Sequence, residues 1–177
     1  MLDRHLLLLF LAAATLLAVP PGPGIFYVLA RTLSGGKREG MLSAIGTFVG
    51  GSMHVLAAGL GLSAVLAASA TAFSVVKYAG ALYQVWLGFR MIQTRNVPMD
   101  EPANAGDANH AFRQRVVTEV LNPKTALFFL SFLPQIVNAA LGHVVMQFLL
   151  LGILSVSLNT TADLLVILFA APIGARI

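Results

Sequence analysis

Long apolar runs constrain this chain more than any other feature. The first begins with "LLLLFLAAATLLAV", is interrupted, and resumes as far as about residue 30. Four more cover about residues 41–68, 70–92, 117–137 and 144–171. A membrane helix needs about 20 mostly apolar residues, and each run supplies them. Of the 177 residues, 58% are hydrophobic and 10% are charged, where a soluble domain carries about 25% charged residues. One soluble core of this size cannot hide so much apolar surface. The expected fold is all-α: a polytopic membrane helix bundle of five spans, with residues 1–177 as a single transmembrane domain. The stretch 6–19 could serve as a signal peptide with Arg4 as its basic flank. Because apolar character resumes directly after the interruption, a span is the favoured reading.

Charge gives direction and excludes other classes. The net charge is +4, but Lys and Arg flank the apolar runs and form no basic stripe, so no nucleic-acid partner is expected. Nine of the eleven Lys and Arg residues fall on one side if the amino terminus is outside. These are Arg31, Lys37, Arg38, Arg90, Arg95, Arg113, Arg115, Lys124 and Arg176, against Arg4 and Lys77 on the other side. The positive-inside rule then places the chain in a plasma membrane with the carboxy terminus cytoplasmic. The charged stretch "RTLSGGKREG" reads as a cytoplasmic loop, and residues 94–112 as a cytoplasmic linker between two halves. Beyond the linker, Phe112, Val116 and Val120 recur at i, i+4, i+8, the pattern of a short interfacial helix with Arg113 and Arg115 on other faces. There is no cysteine, hence no disulfide or thiolate chemistry. No HExxH or GxSxG motif occurs, and the histidines are scattered at 5, 54, 110 and 143. No catalytic residue, metal site or cofactor is therefore expected.

The interruption in the first run is "PPGPG", residues 20–24. Proline removes a backbone donor and clashes with the carbonyl four residues earlier. In hydrocarbon, each freed carbonyl costs several kcal/mol unless protein or trapped water satisfies it. Such breaks build transporter sites, because the new half-helix amino terminus offers free N–H groups and a positive dipole end. The structural alternative is a kink that only shapes packing. A second interruption favours the functional reading: "LNPKTALFFLSFLPQ" carries Pro123 and Pro134 in the fourth run. Interrupted first and fourth spans have the spacing of an inverted three-helix repeat.

"PPGPG" followed by "VLARTLSGGKREG", then "KYAGALYQVWLGFR", then "LNPKTALFFLSFLPQ" resemble, in order and spacing, the motifs of the LysE/RhtB family of amino-acid exporters. The resemblance covers residues 20–135 and continues more weakly through Asp163. It implies a bacterial inner-membrane translocator that exports amino acids or related small amphiphiles in exchange for protons. Three departures stand out. Gly24 occupies a place where members carry Asn or a similar polar residue. Gly51 stands where many carry an acid. Members generally have a sixth span, whereas this chain stops at "AAPIGARI". A three-plus-two arrangement is therefore expected, with a truncated non-transporting relative or a membrane scaffold as the alternative.

An amino-acid substrate presents a carboxylate and an ammonium. The carboxylate is assigned to the broken turns, Pro21, Gly22, Pro23 and Gly24 in the first and Asn122, Pro123 and Lys124 in the second. Asp163, the acid deep inside an apolar run, is the candidate ammonium ligand and proton carrier. A charge there costs about 2.5–3.5 kcal/mol on insertion scales unless it faces a cavity or a partner. A structural hydrogen bond to a neighbouring helix is its plainer role. Asn159 and Thr160 are expected on the same polar face. His54 is a second candidate for proton coupling, with a satisfied core histidine as the alternative. It shares a stripe with Gly46 and Gly50, whose spacing suits close helix packing. Gly80, Gln84 and Gly88 repeat that packing stripe in the third run. The partners expected are a small-molecule amino-acid substrate and the lipid bilayer. The glycine stripes and the absent sixth span both favour a homo-oligomer.

Overall fold

A computed structural model describes residues 4–18, 23–76, 78–79, 82 and 108–174. Its principal helices are α1 (Arg4–Ala18), α2 (Pro23–Ala68), α3 (Ala108–Val120), α4 (Pro123–Leu127), α5 (Leu133–Ile136) and α6 (Val144–Gly174). A π-helical turn, Phe128–Phe132, joins α4 to α5, and a 3-10 turn, Ala139–Leu141, precedes α6. No strand occurs among the described residues, so the fold is all-helical. Two helices, Gly24–Ala68 and Val144–Gly174, are long and apolar enough to cross a membrane. The pair Ala108–Val120 and Lys124–Ile136, bent by 45°, makes a third if counted as one span. The five spans expected from hydropathy are not reached among the described residues. Most of the third run lies outside them, with Lys77, Gly80, Gln84 and Gly88.

The long helix α2 is not one straight rod. Gly36 has φ 74° and ψ −176°, a conformation open almost only to glycine. It divides α2 into a first arm, 23–35, and a second arm, 37–68. In a straight helix Gly24 and Gly46 would stand about 33 Å apart. Yet a Cβ at Gly24 would lie 2.5 Å from Nη2 of Arg115, and one at Gly46 would lie 2.9 Å from Cβ of the same arginine. Arg31 and Glu39, eight residues apart, form an ion pair of 3.3 Å. The arms therefore fold back on each other as an antiparallel hairpin. The stretch read as a charged loop is instead helix on both sides of a single glycine. Its buried charges, Arg31 and Glu39, pair with each other, so they need no loop to reach water.

Helix α3 and helix α6 pack against this hairpin. At Gly50 a Cβ would meet Cβ of Glu119 at 2.7 Å and the Val116 carbonyl oxygen at 3.0 Å. The backbones of α2 and α3 thus approach closely where α2 lacks side chains. Ala108, Ala111, Arg115 and Glu119 form the buried face of α3, rather than Phe112, Val116 and Val120. Small alanines permit that approach, and the two buried charges neutralise each other, which a hydropathy pattern does not register. The main apolar core joins Phe10 and Ala14 of α1, Val55 and Leu62 of α2, Phe128 and Leu133, and Phe148 and Leu151 of α6.

Proline shapes the bent segment. Pro134 cannot donate to the carbonyl of Leu130, and the helix widens to a π turn just before it. Gln135 Nε2 donates to the Ser131 carbonyl at 2.7 Å, and the Ser131 hydroxyl donates to the Leu127 carbonyl. Gln147 pins the turn that leads into α6. Its Nε2 donates to the carbonyls of Asn138 (2.9 Å) and Gly142 (2.7 Å), and its Oε1 accepts from the Asn138 N–H (3.0 Å). Gln147→Leu removes all three bonds and leaves backbone groups unpaired. The expected cost is about 2 kcal/mol, read as a lower melting temperature of the purified protein in detergent.

Candidate substrate site

Three helices bring polar side chains to one buried place. The second arm of α2 carries Glu39, Ser43 and Thr47 at i, i+4, i+8, all buried. Helix α3 contributes Arg115 and Glu119, and α6 contributes Asp163. Arg115 is 3% exposed and Asp163 is 2% exposed. Arg115 Nε donates to Thr47 Oγ1 at 2.9 Å, and Thr47 Oγ1 donates to Asp163 Oδ2 at 2.7 Å. The Ser43 carbonyl lies farther from that hydroxyl, at 3.3 Å. A hydroxyl has one hydrogen to give, and the carboxylate is the nearer and charged acceptor. Arg115 Nη2 pairs with Glu119 Oε2 at 3.0 Å, and Thr125 of α4 donates to Glu119 Oε1 at 2.7 Å. Thr47 therefore relays between a guanidinium and a carboxylate on different helices, and α4 is tied to the same cluster.

A second network lies toward the hairpin turn. Arg31 is fully buried. Its Nη1 pairs with Glu39, its Nη2 donates to Gln114 Oε1 at 2.8 Å, and its Nε donates to the Tyr27 hydroxyl at 3.2 Å. His110 Nδ1 lies 3.5 Å from Nη2. The Tyr27 hydroxyl donates to Gln114 Oε1, 3.0 Å away. These contacts clasp both arms of α2 to α3 beside the first cluster.

A family model described as LysE type translocator matches residues 15–176. The chain belongs to the LysE family. An uncharacterized membrane protein of Vibrio cholerae serotype O1 is 31% identical over 178 residues, 99% of this chain and 86% of that protein. The leucine efflux protein of Klebsiella pneumoniae subsp. pneumoniae is 31% identical over 74% of this chain and 63% of its own length. The leucine efflux protein of Enterobacter sp. is 30% identical over 81% of this chain and 69% of its own length. No solved structure matches the chain.

In this LysE-family chain the expected site residues divide into those the cluster gathers and those it does not. Asp163 lies within the cluster. Gly24, at the start of the first arm, lies against the Arg115 guanidinium, and Gly46 lies against its Cβ. His54 is one turn beyond Gly50 and half-buried. Its Nε2 sits 3.0 Å from the Glu119 carbonyl oxygen, and its ring stacks on Phe129 with centroids 6.0 Å apart. A carbonyl only accepts, so Nε2 carries the hydrogen and donates. Asn122 caps α4, where its side chain accepts from the Lys124 N–H at 3.0 Å. Pro123 is the first residue of that helix, and Lys124 is half-buried. Pro23 is the first residue of α2. Pro21 and Gly22 lie outside the described residues. Asn159 is exposed and donates to the Ser155 carbonyl at 3.2 Å. The Thr160 hydroxyl is buried without a partner among the described residues.

Sequence reasoning missed Arg115, Glu119 and Thr47. The available signals were the polar i, i+4, i+8 series Glu39–Ser43–Thr47, and an Arg–Glu pair at i, i+4 on the same face as Ala108 and Ala111.

Proposed function

We propose that this chain exports amino acids across the bacterial inner membrane, with the cluster of Arg115, Thr47, Glu119 and Asp163 as the substrate and proton site. One observation carries the reading. Arg115 pairs directly with Glu119 and reaches the buried Asp163 only through the Thr47 hydroxyl, so among the described residues Asp163 has no cation in direct contact. A proton or a substrate ammonium supplies one, and the two compete for Asp163. Such competition is the logic of a proton antiporter. Family membership and two relatives named leucine efflux proteins support an amino acid as cargo.

The depth of the site fits. Gly24 lies twelve residues before Gly36, and Thr47 lies eleven after it, or about 17–18 Å along each arm. Asp163 lies eleven residues before Gly174, about 17 Å, and a Cβ at Gly174 would lie 2.9 Å from the Leu33 carbonyl oxygen near the same turn. With that turn at the cytoplasmic surface, all three positions fall close to the middle of a hydrocarbon core of about 30 Å. On this reading α1 and the first arm form one broken span, the second arm another, the bent α3–α5 segment a third and α6 a fourth. The run 70–92 completes five. The linker 94–112 is cytoplasmic, although α3 already begins at Ala108.

The test is leucine efflux from proteoliposomes under an imposed pH gradient. Asp163→Asn is expected to lower gradient-driven efflux about tenfold or more. Undiminished gradient-driven efflux would remove Asp163 from coupling. Absence of any leucine flux in the wild-type protein would discard export of leucine.

A further inference from the structure

One atom in the cluster has no counterpart. Arg115 uses Nε on Thr47 and Nη2 on Glu119, while Nη1 is buried with no hydrogen-bond partner among the described residues. Nη1 carries two N–H groups, and buried polar atoms almost always find partners. The guanidinium lies against the start of α2: a Cβ at Gly24 would sit 2.5 Å from Nη2 and 3.3 Å from Nη1. Helix α2 begins at Pro23, so the N–H groups of Gly24, Ile25 and Phe26 have no carbonyl four residues earlier within the helix. An arginine fork and a positive helix end therefore lie directly against each other, and they can do so because residue 24 lacks a side chain.

We infer that Arg115 Nη1 and the first turn of α2 at Gly24 form a carboxylate subsite for a zwitterion whose ammonium lies beside its carboxylate. The inference rests on the export reading above and names the cargo's chemical class. Donors of both kinds prefer a planar singly charged acceptor. Glu119 and Asp163 decide against a bare anion. With Arg115 and Lys124 set against Glu119 and Asp163 the cluster balances, and an anion would leave it negative, whereas a zwitterion leaves it unchanged. An α-amino acid fits, with its carboxylate on Arg115 and its ammonium toward Asp163. Asn122 cannot build an equivalent place at α4, because its own side chain already occupies the Lys124 N–H and that helix is only five residues long.

The experiment measures equilibrium displacement of radiolabelled leucine from the purified protein by unlabelled leucine and by leucinamide, which keeps the ammonium and lacks the carboxylate. In the wild-type protein leucinamide is expected to bind about thirtyfold more weakly. Gly24→Ala puts a methyl where the guanidinium lies and so moves the fork off the helix end without removing a charge. Arg115→Lys keeps a cation for Glu119 but loses the fork. Each is expected to weaken leucine about tenfold or more and to leave leucinamide within about threefold of wild type. A melting temperature close to wild type shows that a variant is folded, and the wild-type comparison decides the matter if neither variant is. Equal affinity for leucine and leucinamide, or a preference that survives both substitutions, overturns the subsite even where leucine efflux stands. Where wild-type leucine binding and efflux are both absent, binding of a second radiolabelled α-amino acid, phenylalanine, that depends on Arg115 keeps the subsite and discards leucine export. Binding of neither discards both.

Discussion

Glu119→Leu is expected to destabilise the protein by about 3–5 kcal/mol, the cost of leaving a buried arginine without its carboxylate. Arg115 is 3% exposed and Glu119 is 6% exposed, and their charged atoms are 3.0 Å apart. Without Glu119, the nearest acid is Asp163, which Arg115 reaches only through Thr47. The Thr125 hydroxyl also loses its acceptor, loosening α4 from the cluster. The reading is thermal melting in detergent, with a fall of about 10 °C for a chain of this size. Glu119→Gln keeps an oxygen for Thr125 and the side-chain shape, so it should fall less. The double variant Arg115→Met with Glu119→Leu should recover much of the loss, because an apolar pair can replace a buried ion pair at little cost. A single variant that melts like wild type would mean that water reaches the pair and that the cluster is no sealed site.

That result bears on what the amino-acid sequence makes legible. Apolar runs mark helices whatever their surroundings, since backbone groups in hydrocarbon must pair within the helix. The helix starts at Pro23 and at Pro123 are equally local, because proline lacks a donor wherever it sits. The spacing of Gly46 and Gly50 meets the α3 backbone for a similar reason: a missing Cβ is a property of the residue itself. Arg115 is different. Taken alone it belongs at a surface, and its burial follows from Glu119 on the same helix, Thr47 on α2 and Asp163 on α6. Three of these four residues are far apart in the chain, and no window of hydropathy holds them together. Gly36 escaped for the opposite reason. A glycine among Ser34, Gly35, Lys37 and Arg38 reads as loop, and only its positive φ reveals a hairpin closed by one residue.

Gly50→Leu is expected to abolish both leucine binding and efflux while the chain still inserts as helix. The new side chain would begin 2.7 Å from Glu119 Cβ and 3.0 Å from the Val116 carbonyl oxygen. A side-chain end can rotate away, but a backbone carbonyl held inside α3 cannot. The helices must therefore separate, and overpacking of this kind costs about 1–3 kcal/mol or more. Arg115 and Glu119 ride on α3, so any separation pulls the guanidinium from Thr47 and from Gly24 at once. A displacement of about 1 Å is enough to cost about a hundredfold at a site that depends on placement. Gly61 supplies the control: it lies on the same arm, exposed, with no atom within 4 Å of a Cβ built there. Gly61→Leu should bind and export leucine as the wild type does. If both substitutions abolish function equally, the arm tolerates no added bulk anywhere, and close approach at Gly50 is not what holds the site. If neither does, the contact between α2 and α3 yields freely, and a cluster assembled across it would be too loose to select a substrate.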